Sequence, residues 1–178
     1  MLPVETRPNT VHAKEIEKAF LQNHDMVYRV AFRITGNASD AEDVLQTLFL
    51  RLVRREWLPD TETGWAGYLH RATVNIALDI MRARARQAPL DESAVNLREY
   101  RPGPHEQHSA SELRVGFNAA LAELSPNAAE MFVLRHVEGF AIQEIAKMLQ
   151  TSKGTVAVTL FRTRRRLRKS ITKFLGGR

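Results

Sequence analysis

The sequence predicts an all-α protein made of two small helical domains joined by a flexible linker. Three observations carry that expectation. Apolar residues recur at helical spacing through most of the chain, as in Ile142, Ile145, Ala146 and Leu149, which share one helix face. Strand signals are absent, with no alternation of β-branched residues and no Asn-Gly hairpin. The stretch from Gln87 to Ser111 is polar and broken by Pro89, Pro102, Gly103 and Pro104, which suits a linker.

Residues 1–11 hold prolines without periodicity and read as a loose tail. The first domain is expected over 12–86. Its first helix runs from His12 to Ile34, with Ile16, Phe20, Val27, Val30, Ala31 and Ile34 on a common side, and Gly36 ends it. Ser39 or Asp40 can cap the second, which buries Ala41, Val44, Leu45, Leu48 and Leu52. Its other side presents Asp40, Glu42, Asp43 and Gln46, with Phe49 close by. Acidic residues in a first turn suit the helix dipole. The same stripe can also serve as a protein-docking face.

Trp57 to Gly67 reads as a loop, marked by Pro59, Gly64 and Gly67. Tyr68 to Arg86 is the third helix, with Leu69, Ala72, Ile76 and Ile80 inward. Arg71, Asn75, Asp79 and Arg82 line another face at spacings that make them neighbours. One reading is a surface salt-bridge ladder of Arg71, Asp79 and Arg82. The other is a polar, cationic face beside Trp65 and Tyr68 that can hold single-stranded nucleic acid, extended by Arg84 and Arg86. His105 and His108, in the linker, lack the further ligands a metal site needs. No metal or cofactor is expected.

The second domain is expected over 112–178. Phe117, Ala120, Leu121 and Leu124 form a short amphipathic helix. Ser125-Pro126 then starts another, with Ala129, Phe132, Val133, His136 and Val137 as its core stripe and Gly139 as its end. A helix-turn-helix follows: AIQEIAKML, the turn QTSKG, and TVAVTLFRTRRRLRK. Ser152 can cap the last helix, whose apolar side is Val156, Leu160 and Leu167. From Lys153 to Arg178 there is no Asp or Glu among many Lys and Arg. A single-sign run repels itself, and a phosphate-bearing partner offsets that repulsion, so this helix suits the DNA major groove.

Composition narrows the classes further. The 178 residues carry a net charge of +6 and no cysteine, so neither disulfides nor thiolate metal sites can form. No apolar run approaches the roughly 20 residues that span a bilayer. The N-terminus lacks a basic-then-apolar export pattern, so a cytoplasmic location without membrane insertion is expected. Nothing pairs a nucleophile with a base, cradles phosphate in glycines or clusters carboxylates, so an enzyme is not expected. A stand-alone helix-turn-helix regulator would predict tight binding to a palindromic site.

Three stretches in this order resemble the extracytoplasmic-function group of bacterial sigma-70 RNA polymerase sigma factors. DAEDVLQTLFLRL (Asp40 to Leu52) is similar to the region 2 segment that docks on the polymerase. YLHRATVNIALDIMRAR (Tyr68 to Arg84) is similar to the −10 recognition and melting segment, with the family's N-x-x-x-D as Asn75 and Asp79. Leu124 to Leu167 is similar to region 4, which reads the −35 element. The resemblance implies a promoter-specificity subunit whose partners are core RNA polymerase, promoter DNA and a cognate anti-sigma factor. It places core binding on Asp40, Glu42, Asp43, Gln46 and Phe49. It places −10 binding on Trp65, Tyr68, Arg71, Asn75, Asp79 and Arg82. It places −35 binding on Lys153, Thr155, Ala157, Val158, Phe161, Arg162 and Arg165, with Arg164 to Arg166 on phosphates.

The chain departs from the family pattern at several positions. Ala157, Val158 and Thr159 stand where the family usually places Lys or Arg, then Ser, then Arg. Short apolar side chains there can pack on thymine methyls, which implies an altered promoter preference. Gln150 replaces the turn glycine, and Val74 replaces a usual arginine.

Overall fold

The computed structural model describes residues 10–54, 64–87 and 104–176. Seven helices run through them: α1 Thr10–Thr35, α2 Ala38–Val53, α3 Gly64–Gln87, α4 Pro104–Ala122, α5 Pro126–His136, α6 Ile142–Met148 and α7 Lys153–Gly176. Residues 1–9 of the expected tail (1–11), 57–63 of the expected loop (57–67), 88–103 of the expected linker (87–111) and the side chains of His105 and His108 lie outside the described residues.

The helix periods place the cores. Val27, Val30, Ala31 and Ile34 of α1 pack with Ala41, Val44, Leu48 and Leu52 of α2 and with α3, all buried. The α1–α2 corner is a two-residue turn. Gly36 takes φ +66°, where a Cβ is disfavoured, and its N–H bonds the Phe32 carbonyl at 2.7 Å. Asn37, rather than Ser39 or Asp40, caps α2, its side-chain oxygen accepting from the Asp40 N–H at 3.1 Å.

In the second half α7 is the central element, packed against α4, α5 and α6. Val156, Leu160, Thr163 and Leu167 form its inward stripe. Gly116 lets α4 approach closely, since a Cβ there would come within 2.5 Å of the Phe174 ring. Ser152 caps α7 as expected, with its Oγ accepting from the Thr155 N–H at 3.0 Å.

α1 begins at Thr10, two residues inside the expected tail. Two further boundaries differ from the sequence expectation for one physical reason. α3 begins at Gly64, inside the expected loop, and α4 begins at Pro104, inside the expected linker. The first turn of a helix has no intrahelical N–H bonds to lose, so glycine and proline are tolerated there. His136 also differs: it is exposed and leans on Phe132, ring centroids 4.6 Å apart, while Glu130 takes an interior place.

The two halves pack on each other through α3, which meets α4, α5 and α6. Arg114 of α4 lies against Gly36, in the space a Cβ there would fill. Glycine at 36 therefore serves the α1–α2 turn and the approach of α4 together.

Gln150, between α6 and α7, is the only non-glycine residue with positive φ among those described, at +50°. A side chain in that region costs about 1 kcal/mol relative to glycine. Gln150→Gly is expected to stabilise the chain by about 0.5–1 kcal/mol, read as a raised thermal midpoint. An unchanged or lowered midpoint would contradict the strain at this turn.

Candidate nucleic-acid interface

The outward side of α7 follows from its inward one. With Val156, Leu160, Thr163 and Leu167 buried, the helical period turns Ala157, Val158, Phe161, Arg162 and Arg165 to solvent. Phe161 is 70% exposed, which is unusual for a large aromatic in a packed domain. Lys153 is exposed and donates to Gln143 Oε1 at 3.0 Å, tying α6 to the start of α7. The Thr155 hydroxyl shares a 2.9 Å hydrogen bond with Ser152 within the cap. Arg166 turns back and donates to the Glu123 carbonyl at 3.1 Å, so it leaves the phosphate-facing set named from sequence. Thr159 is half-buried.

The −10 residues expected on α3 do not form one open face. Trp65 and Tyr68 are half-buried and meet edge to face, centroids 6.3 Å apart. Arg71 and Asn75, one turn apart, both reach across to α5. Arg71 Nε donates to Glu130 Oε1 at 2.8 Å and Asn75 Nδ2 donates to the same oxygen at 3.0 Å. Arg71 Nη1 also donates to the Met148 carbonyl at 3.4 Å. Asp79 is exposed and pairs with Arg82 at 3.4 Å. The expected ladder is thus reduced to its Asp79–Arg82 rung, because Arg71 has a different partner. Val74 is fully buried in the core.

A second carboxylate joins the halves nearby. Glu138, in the α5–α6 connection, accepts from Arg33 of α1 at 3.1 and 2.5 Å and lies 3.6 Å from His70 Nε2 of α3. Its side chain is only 2% exposed. Phe140 closes this contact by standing edge-on to the His70 ring, centroids 5.1 Å apart. Burial works to raise the Glu138 pKa. The neighbouring His70 ring, the Arg33 hydrogen bonds and the Arg33 charge outweigh it and hold the carboxyl below its ordinary value.

On α2 the expected docking stripe divides. Glu42, Asp43 and Gln46 are exposed. Asp40 is buried and ion-paired to Arg84 at 2.6 Å, which also removes Arg84 from the expected cationic track. Burial pushes the Asp40 carboxyl up, against the pull of Arg84. Phe49 is buried against Phe20, centroids 4.6 Å apart. Both residues meet partners from other helices, so α2 alone misplaced them. Two residues not named from sequence continue the exposed face: Leu50 and Val53, 50% and 55% exposed. Their exposure beside Gln46 is the signal that apolar periodicity hid.

Two family models match the chain: sigma-70 region 2 over residues 19–87, and sigma-70 region 4 over residues 115–167. The ECF RNA polymerase sigma factor SigE of Mycolicibacterium smegmatis is 36% identical over 156 residues, covering 85% of this chain and 60% of that protein. The RNA polymerase sigma-E factor of Streptomyces coelicolor is 30% identical over 167 residues, covering 88% of this chain and 86% of that protein. The sigma factor RpoE of Bartonella quintana, solved with the anti-sigma factor NepR, shares the fold at TM-score 0.51 and 19% identity. That match covers 89% of this chain and 98% of that one.

The depressed Glu138 pKa fixes a pH dependence. A carboxyl whose folded pKa lies below its unfolded 4.5 stabilises above that value and loses the contribution as pH falls through the folded pKa. The wild type is therefore expected to exceed Glu138→Gln in stability at neutral pH, by about 1 kcal/mol or less because Arg33 is half exposed. The gap should close as pH falls below 4.5 and through the folded pKa. Urea denaturation of both proteins across that range checks it.

Proposed function

The chain belongs to the extracytoplasmic-function group of sigma-70 RNA polymerase sigma factors, and we propose from that premise how its own residues divide promoter recognition. The observation that carries the proposal is the solvent-facing stripe of α7, Ala157, Val158, Phe161, Arg162 and Arg165, on a helix free of acidic residues. Such a helix enters the −35 major groove, with α6 and its turn against the backbone. Arg162 presents a guanidinium to a base edge, and Arg165 faces phosphate. Ala157, Val158 and Phe161 offer only apolar contact, which favours thymine methyl groups over guanine.

The first three helices supply the other tasks. Glu42, Asp43 and Gln46, continued by Leu50 and Val53, form the face that meets core polymerase. An acidic run that continues into exposed apolar residues offers both the polar and the apolar contacts of a protein interface. Trp65, Tyr68, Arg71, Asn75, Asp79 and Arg82 hold the unpaired −10 strand. Aromatic stacking and polar contacts there offset the few kcal/mol that base extraction costs. No catalytic step is assigned to the chain. A cognate anti-sigma factor completes the expected partners. A cytoplasmic site of action follows from the polymerase it serves, and no helix among the described residues is long and apolar enough to cross a membrane.

The test is run-off transcription with bacterial core polymerase and this chain on a promoter library randomised at −35 and −10. Specific transcripts dependent on the chain are expected. Arg162→Ala should lower them about tenfold and relax selection at one −35 position. Phe161→Ala should relax selection at a thymine without unfolding the chain, since that ring is mostly in solvent. Absence of both transcripts and core binding would overturn the proposal, and tight binding of the free chain to a palindrome would put a stand-alone regulator in its place.

A further inference from the structure

We infer that the C-terminal turns of α7 form a phosphate-binding stripe that supplies sequence-independent affinity for duplex DNA, separate from the turns that read bases. The inference rests on the proposed seating of α7 in the −35 groove and adds which residues carry the electrostatic part of that contact. The stripe continues from Arg165 through Arg168, Lys169 and Lys173. Its last three cations lie outside the region 4 match, which ends at residue 167, whereas α7 runs on to Gly176.

Arg165, Arg168, Lys169, Thr172 and Lys173 recur at spacings of three and four, so they stand on one side of α7, in line with Phe161 and Arg162. That side is opposite the buried Val156, Leu160, Thr163 and Leu167, and all five residues are exposed. With Gly176 they line an open trough of about 800 Å³. Among the described residues no carboxylate pairs with any of the four cations. A merely solvated face mixes its signs. Cations gathered on one face repel one another, and a row of phosphates offsets that repulsion. The helix dipole accounts for Lys173 in the last turn, but not for the cations in the turns before it. These turns are also held in place: the Phe174 ring lies against Gly116 of α4, where a Cβ would come within 2.5 Å of it.

Length decides what the stripe meets. α7 has 24 residues and is therefore about 36 Å long, against a major groove about 12 Å wide. With Ala157 to Arg162 at the bases, Lys173 stands about 16 Å farther along the axis than Arg162. At that distance the flanking phosphate backbone, not a base edge, is the surface within reach. The placement of charge agrees. Ala157, Val158 and Thr159 leave the first turns without the cations that sigma factors of this group usually carry there, while the later turns are rich in Arg and Lys. Phosphates carry no sequence information, so the stripe adds affinity and salt dependence rather than selection. Base choice stays with Ala157, Val158, Phe161 and Arg162.

The test measures the full chain binding a mixed-sequence duplex by fluorescence anisotropy over a range of salt. The wild type should bind, with log affinity falling linearly against log salt. In Arg168→Gln/Lys169→Gln/Lys173→Gln the slope should shrink by about 2–3 and affinity at moderate salt should fall at least about tenfold, since each phosphate contact contributes about 0.9 to the slope. Each single substitution should shrink it by about 1, so the test stands even if the triple variant fails to fold. Arg168→Lys/Lys169→Arg/Lys173→Arg keeps the charges and should keep the wild-type slope. In run-off transcription on the randomised library, the neutral triple variant should select the same −35 sequence as the wild type. An unchanged slope, or a wild type that does not bind the duplex, would overturn the stripe; intact library selection would leave the −35 role of α7 standing. A changed −35 preference would overturn it too, because the stripe would then be reading bases. An unchanged slope with run-off lost would replace DNA by an acidic protein surface as the partner. A reduced slope without −35 selection by the wild type would overturn the −35 seating and support the contact with phosphate.

Discussion

The structure depends on a buried carboxylate that cannot stand alone. Glu130 sits on α5 among Ala129, Met131, Val133 and Leu134, all buried. An ionised carboxylate at such a place is tolerated only with a counter-charge and hydrogen bonds. Both come from α3, in the other half of the chain. Arg71 and Asn75 are four residues apart, so their side chains converge on one oxygen only if α5 crosses α3 at that turn. The register of the two halves is thereby fixed, and Glu138 with Arg33 and His70 fixes it a second time nearby.

This constraint divides the functional surfaces. A helix whose inward stripe is satisfied within its own half, such as α7, leaves its opposite side free. α3 has two inward stripes. Leu69, Ile76 and Ala77 are buried, and so are Thr73, Val74 and Leu78, which leaves only a narrow polar strip for Arg71 and Asn75. That strip meets Glu130. Arg71 and Asn75 are thus engaged across the two halves, while Phe161, Arg162 and Arg165 of α7 and Glu42, Asp43 and Gln46 of α2 are exposed.

How much was legible in the sequence follows from where each residue's environment originates. The helices themselves, and the outward stripe of α7, follow from a 3.6-residue period acting within one element. Lys153, Ala157, Val158, Phe161, Arg162 and Arg165 are accordingly all exposed. Asp40, Phe49 and Arg84 were misplaced because their partners lie on other helices: Arg84 reaches Asp40, and Phe20 covers Phe49. Periodicity on α2 cannot register either. The helix starts at Gly64 and Pro104 were hidden because the residues that break a helix interior are also tolerated in its first turn. Glu130 did leave a trace, an acid set among apolar residues and spaced three and four from Val133 and Leu134. Its meaning needed the Asn75 amide and the Arg71 guanidinium of α3, which are 55 and 59 residues away in sequence.

The most direct test of this account is a double-mutant cycle between Arg71→Ala and Glu130→Ala in the full chain, measured by urea denaturation at neutral pH. Residues that share a buried charged hydrogen bond should be coupled by at least about 1 kcal/mol, with the second substitution costing much less once the first is made. Additive effects, within about 0.5 kcal/mol, would show that the two halves are not held together at Glu130 and would contradict the account.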